Sequence, residues 1–284
     1  MADEGIKDPE MTAREIANFY VMWDDAIVGI TGAAIVAAGT STCDATYPNT
    51  NLLDGRRDTV AKFTGTGTIK IAFDLLTAQN VYGVGIHNHT ANTHAATTVA
   101  LRYGSDGVNW TEDRNFTIAS TVGDDDVFAV FATSPRNYRY FQVQFSDAVT
   151  ANLTVGRIYL ARAVYDFGAT LQVGTRKGYV KRCDVTETKG GVEFRLGRGR
   201  LRRRIVGVIP GRESAARSQM KSIITACDLN EKPLVTSSPY GTTVVSGTNY
   251  YGAAIHGRFA SEEWLPAYGV LSIADLPVDI IEVL

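Results

Sequence analysis

Tyr140-Phe141-Gln142-Val143-Gln144-Phe145 decides the fold class of this chain. Phe141, Val143 and Phe145 point one way, and Tyr140, Gln142 and Gln144 the other. This is the period-two pattern of a strand with one face in a core. The pattern recurs upstream, where Ile69, Ile71 and Phe73 alternate with Thr68, Lys70 and Ala72. Residues 81–87, 97–103, 127–131 and 157–161 read as further strands, separated by Gly, Asn, Asp and Thr turn signals. Many such strands predict a mainly β chain built as a sandwich, because each strand must bury one face against a second sheet.

Composition agrees with a packed protein. Of 284 residues, 45% are apolar and 20% charged, which excludes an intrinsically disordered chain. No stretch approaches the roughly 20 apolar residues of a membrane-spanning helix, so no membrane insertion is expected. The N-terminal MADEGIKDPE is polar and is not expected to be a signal peptide. Cys43, Cys183 and Cys227 are far apart and odd in number, which argues against a disulfide framework or a zinc module and fits a reducing cytosol.

Charge is divided unevenly. Residues 1–165 hold 12 basic and 18 acidic residues, a net of −6, and 166–284 hold 16 and 12, a net of +4. The total of −2 lacks the whole-chain basic footprint of a nucleic-acid binder. Within 176–204 there are 11 basic residues and 3 acidic ones. The change of sign predicts three parts: an arm over 1–25, a jelly-roll over 26–165 and a smaller β-domain over 166–284. In the arm, Thr12 with Glu15 forms a capping box, and Ile16, Phe19, Tyr20 and Trp23 share a helical face, although Phe19-Tyr20-Val21 is also strand material. In the last part, strands are expected at 169–173, 178–186, 191–196, 201–208, 234–237, 250–258 and 270–284. A helix is expected over 213–229, with Ala216, Met220, Ile223, Ile224 and Cys227 on one stripe.

A set of short motifs runs in order along the first two thirds of the chain. They are Asn51-Leu52-Leu53-Asp54-Gly55, then Asp74-Leu75 closing a strand, then Val81 to Ile86 as V-x-x-V-G-I. Tyr103-Gly104-Ser105-Asp106-Gly107-Val108-Asn109-Trp110 follows, then Arg139 to Val143 as R-Y-F-Q-V, then Arg157-Ile158-Tyr159-Leu160. This order resembles the discoidin, or coagulation factor 5/8 type C, jelly-roll of the galactose-binding-like superfamily, over residues 26–163. Ser105-Asp106-Gly107 suits a turn with a positive-φ glycine, and Trp110 suits the sandwich core. The resemblance places Asp54-Gly55 at the loop end where this superfamily holds ligands, and sometimes calcium.

The C-terminal part is similar to the ring-forming domain of bacteriophage distal tail proteins. It shares the amphipathic helix, Lys232-Pro233-Leu234, strands with Trp264 and Pro266, and a last apolar strand. It departs from them in domain order, since the jelly-roll comes first. The two resemblances imply a galactose-binding-like sandwich followed by a tail-ring-like β-sandwich or barrel with one packed helix. The implied role is a structural virion protein of the tail tip or baseplate, assembled in the host cytoplasm. Its implied partners are itself, as a ring that is sixfold by analogy, the tube, hub and fibre proteins of the tail, and a host surface glycan. The alternative is a stand-alone lectin-like protein.

Candidate site residues follow. Asp54, Arg56, Arg57, His87, His89 and His94 are the carbohydrate-binding candidates on the jelly-roll loops. His87 and His89 at i, i+2 have metal-ligand spacing, but with no carboxylate or cysteine among them no metal and no cofactor is expected. Asp124-Asp125-Asp126 lacks the interleaved spacing of a calcium loop and reads as a solvated turn. Arg198, Arg200, Arg202 and Arg204 alternate, so a strand places them on one face. Three readings compete for them: nucleic-acid phosphate, the bore of a ring, and acidic surfaces of neighbouring subunits. The third is preferred, since the run has no aromatic residues for base stacking. A solvated edge strand that resists aggregation is the plain alternative. Asp24-Asp25 and Glu262-Glu263 are adjacent pairs that a strand sends to opposite faces, so no catalytic residue and no enzyme activity is expected.

Overall fold

The computed structural model describes residues 19–29, 34–38, 42–56, 58–64, 67–93, 97–118, 127–131, 135–146, 152–168, 171, 176–187, 193–227, 232–236, 250–252, 255–260, 267–268 and 274–283. The strands in chain order are β1 (Tyr20–Asp25), β2 (Ala34–Ala38), β3 (Thr42–Cys43), β4 (Ala61–Thr64), β5 (Ile69–Val81) and β6 (Gly83–His89). They continue with β7 (Thr97–Gly104), β8 (Thr111–Ile118), β9 (Val127–Val130), β10 (Arg136–Ser146), β11 (Leu153–Asp166) and β12 (Arg176–Glu187). The last are β13 (Glu193–Arg212), β14 (Leu234–Thr236), β15 (Tyr250–Gly252), β16 (Ile255–Phe259), β17 (Ala267–Tyr268) and β18 (Ala274–Glu282). The α-helices are α1 (Ala26–Gly29) and α2 (Ser214–Ala226), and Asn49–Leu53 and Ala91–Thr93 are 3-10 turns. The chain divides into two compact units, Met1–Thr170 with Leu234–His256, and Leu171–Pro233 with Gly257–Leu284.

The first unit is a jelly-roll sandwich. One sheet runs β2-β5-β10-β7-β8, with every neighbouring pair antiparallel. In the other, β11 is the organising strand. One of its edges pairs with β4 through Leu153, Thr154 and Val155 and then with β1 from Ala161 to Asp166. It also pairs with β6 from Val155 to Ala161. Ile69, Ile71, Phe73, Phe141, Val143 and Phe145 all lie in one core with Ile86, Ile158 and Leu160, as the alternation requires. Each such burial contributes roughly 1.5–3 kcal/mol. Gln142 and Gln144 are nevertheless buried too, so β10 is covered on both faces. A second cluster of Met22, Phe128, Tyr159, Ala161 and Val235 covers the other side of β11. That explains why β11 reads as a nearly continuous apolar run.

Several expectations change. Tyr20 and Trp23 lie in a strand, not on a helical face: β1 pairs with β11 and β14, so the segment read as an arm enters the sheet at Tyr20. Cross-strand pairing outweighs the weak helical stripe, because Val21 and Met22 are then fully buried. Trp110 is only half-buried and lies outside the core. Gly107 does take a positive φ of 72°, and a Cβ there would come 3.1 Å from the Tyr140 ring. Strand β8 was not expected, because its polar sequence TEDRNFTI has no clean alternation.

The second unit is an antiparallel sheet with one helix. β13 pairs with β12 on one edge and β18 on the other, and Gly257–Phe259 of β16 pairs with β18. β13 is one 20-residue strand where two were expected. Helix α2 buries Ala216, Met220, Ile223 and Ile224, the predicted stripe. No described helix is long and apolar enough to cross a membrane.

Candidate functional site

The connection between the Asn49–Leu53 turn and β4 is a closed polar loop. One Asp54 carboxylate oxygen accepts the Arg56 N–H at 2.7 Å, and the other accepts the Thr59 hydroxyl at 2.6 Å. Asn51 donates to the Val60 carbonyl at 2.8 Å and closes the base. Gly55 has a φ of 74°, open to glycine at no steric cost, and a Cβ would lie 3.0 Å from Val28. Arg56 forks onto Asp58 at 3.1 and 2.8 Å. That hydrogen-bonded pair holds the Asp58 carboxyl below the usual carboxylate range. Both side chains remain well exposed, 63% and 39%.

The loop is anchored from beneath by a residue that the motif reading names only as part of a strand. Arg157 of β11 donates to the Gly55 carbonyl and, at 2.7 Å, to the Asp25 carboxylate. Both charged side chains are almost fully buried. Asp25 precedes α1 and accepts the Ile27 N–H at 3.0 Å, as a helix-capping carboxylate does, and also the Leu160 N–H at 3.3 Å. The Arg157 guanidinium lies 5.1 Å from the centre of the Tyr159 ring. A buried charge persists only when paired and hydrogen-bonded, and Arg157 and Asp25 meet that condition together. The sequence signal is Arg157, an arginine set in the run of residues 155–161 that β11 buries.

The histidine candidates have other work. His87 is fully buried on β6, register-paired with Arg157, with its ring 4.8 Å from that of His256. His89 is 3% exposed, and its Nδ1 accepts the Ala91 N–H at 3.2 Å. Neither is placed to meet a ligand at the surface beside Asp54 and Arg56. His94, Arg57 and Asp124-Asp125-Asp126 lie outside the described residues. Among the described residues no group of three His, Cys, Asp or Glu side chains is arranged to hold a metal ion.

What the loop offers is a set of polar groups from Asp54, Arg56, Asp58 and Thr59, hydrogen-bonded to one another. Beside it is Val28, 50% exposed, and the same β3–β4 connection carries Tyr47, 44% exposed. Paired donors and acceptors with apolar surface next to them suit a ligand rich in hydroxyl groups.

The arginine series resolves differently. All four positions fall on β13, but the pairing with β12 shifts between Arg198 and Arg202, which interrupts the even alternation. Arg204 binds Asp279 at 2.8 and 2.5 Å. Arg203, expected on the opposite face, binds the buried Glu282 at 2.9 and 2.7 Å. The Arg204 charge is thus met within its own unit. For Arg198 and Arg200 the backbone register alone is described.

Residues 37–157, within the jelly-roll, match the F5/8 type C domain family. No curated protein matches the chain. Among solved structures, CpGH89CBM32-6 produced by Clostridium perfringens is similar at 13% identity, over 49% of this chain and 100% of that one, with a TM-score of 0.39. The lectin domain of lectinolysin complexed with Lewis B antigen is similar at 18% identity, 49% and 97% coverage and a TM-score of 0.38. A Streptococcus pneumoniae fucose binding module is similar at 15% identity, 50% and 96% coverage and a TM-score of 0.38.

Proposed function

We propose that the protein is a non-catalytic carbohydrate-binding protein whose F5/8 type C domain takes a sugar on the 54–59 loop. The observation that carries this is the buried Arg157–Asp25 pair beneath Gly55, which holds the loop in one shape. Preorganisation of this kind lowers the ordering cost of binding a small polar ligand. Arg56, Asp58 and Thr59 supply donors and acceptors for hydroxyls, and Tyr47 an exposed ring. The lectin-like alternative drawn from the sequence is therefore preferred to the tail-tip ring, for which no observation among the described residues speaks.

The test is a glycan array followed by calorimetry on the full chain. Arg56→Ala and Tyr47→Ala are expected to keep the fold by circular dichroism and to weaken binding of the selected glycan at least about tenfold, the loss of one charged hydrogen-bonding group or one contact ring. No binding to any glycan, or undiminished binding by both variants, would sink the proposal.

A further inference from the structure

The polar groups of the 54–59 loop are one half of the proposed site. The other half is apolar and hangs on the same anchor. One Asp25 carboxylate oxygen accepts the Ile27 N–H at 3.0 Å and so starts α1, while the other receives Arg157 at 2.7 Å. Arg157 in turn donates to the Gly55 carbonyl. One buried ion pair therefore holds both the loop and the short helix beside it. Ala26 and Ile27 of that helix belong to the core, and Val28 is left outside, 50% exposed.

Val28 lies against the loop. A Cβ on Gly55 would come 3.0 Å from Cγ2 and 3.6 Å from Cγ1 of Val28, so the bare glycine leaves the isopropyl group beside the loop backbone. Among the described residues the exposed large apolar side chains are Val28, Tyr47, Leu76, Val108 and Val206. Val28 and Tyr47 are the ones that adjoin this loop or share its β3–β4 connection. Apolar surface next to a few ordered polar groups is the make-up of a ligand site. The two side chains suit different parts of a ligand. A flat ring covers the C–H face of a pyranose, whereas two branched methyls meet a small projecting apolar group. A hydroxyl brought to Val28 would lose water and gain no hydrogen bond. An acetamido group would bring an N–H and a carbonyl to a side chain that can partner neither. A methyl carried directly by the sugar brings no polar atom.

We propose that Val28 makes the site selective for 6-deoxyhexoses, sugars whose C6 is a methyl group, over the parent hexoses. The inference rests on the carbohydrate reading of the 54–59 loop. The ring hydroxyls meet Arg56, Asp58 and Thr59, and the C6 methyl packs on Val28. One ligand thus uses both halves that the Arg157–Asp25 pair holds together. The parent hexose differs only by its C6 hydroxyl, which would have to be desolvated against the isopropyl group.

The test measures by calorimetry the affinity of the full chain for matched pairs of sugars. They are D-fucose against D-galactose, L-fucose against L-galactose, and L-rhamnose against L-mannose, with N-acetyl-D-galactosamine as a further probe. In a pair that binds, the deoxy sugar is expected to bind at least about threefold tighter, the gain from burying one apolar carbon. Val28→Thr keeps the branched shape and replaces one methyl by a hydroxyl. It should keep the fold by circular dichroism and abolish most of that preference. Val108→Thr, which makes the same change at the exposed valine of the β7–β8 hairpin, should keep it in full. Equal or tighter binding of the parent hexoses would overturn the proposal. So would a preference unchanged in Val28→Thr, one lost equally in Val108→Thr, or one seen only for N-acetyl-D-galactosamine. The loop reading fails separately. Binding of some other glycan that Arg56→Ala weakens, with none of these sugars bound, would overturn the selectivity alone, and no binding to any glycan would overturn both.

Discussion

Arg157 and Arg204 lie on long strands of the two units and show opposite uses of the same side chain. Arg157 is 3% exposed and binds Asp25, far away in sequence, while Arg204 is 39% exposed and binds Asp279 on the adjacent strand. In the first unit the ion pair sits inside the protein and holds a surface loop. In the second it joins two strands at the surface, beside a band of further arginines on β13. Burial makes the difference: a pair removed from water imposes geometry on everything it touches, whereas a surface pair is screened and replaceable.

The largest expected effect tests this contrast directly. Arg157→Met leaves Asp25 charged and buried, and should cost about 3–5 kcal/mol in urea unfolding. Arg204→Met should cost no more than about 1 kcal/mol. Equal losses would break the comparison. Glu282→Gln should fall between them. Its carboxylate accepts the backbone N–H and the guanidinium of Arg203 and is itself buried, so a loss of about 2 kcal/mol is expected by the same measurement. Gly55→Ala forces a Cβ onto a left-handed residue and brings it 3.0 Å from Val28, and should lower stability by about 1–2 kcal/mol in a thermal melt. A smaller loss with unchanged glycan affinity would show that the loop is not held as tightly as its anchor implies.

The smallest effect depends on pH. A hydrogen bond from Arg139 holds the Asp74 carboxyl below its ordinary value. The folded pKa is lower than the unfolded one, so the stabilisation is complete above the unfolded pKa of about 4 and is lost as pH falls through the folded pKa. Arg139 is substantially exposed, so solvent screens the pair and the contribution is small. Melting temperature between about pH 5 and pH 2.5 should fall slightly more for the unmutated protein than for Asp74→Asn. An equal fall in both would show that the pair contributes nothing.

Much of the fold was legible because its signals are local. The alternation in 140–145 placed β10, and the Ala216 to Ile224 stripe placed α2. Where alternation was absent, as in β8, nothing marked the strand. Tyr20 and Trp23 misled because six residues satisfy a helical stripe and a strand about equally well, and the partner strand β11 lies more than 130 positions away. The site was less legible. Asp54 and Arg56 stand exposed on the loop that the motif singles out, whereas His87 and His89, grouped with them by their polar character, are buried. Asp25 had been weighed only as half of an adjacent carboxylate pair.

By itself, then, the sequence determined the class of fold, the position of most elements, the helix stripe and the uneven division of charge. Each of these depends on residue type and on spacing over a few positions. Only the tertiary structure decided which charges are spent. It showed that Arg157 closes on Asp25 and Gly55, that Arg203 and Arg204 are met by Glu282 and Asp279, and that both faces of β10 and β11 are covered. Those outcomes rest on contacts between distant segments, and which partner a charge meets has no imprint on the residues that flank it.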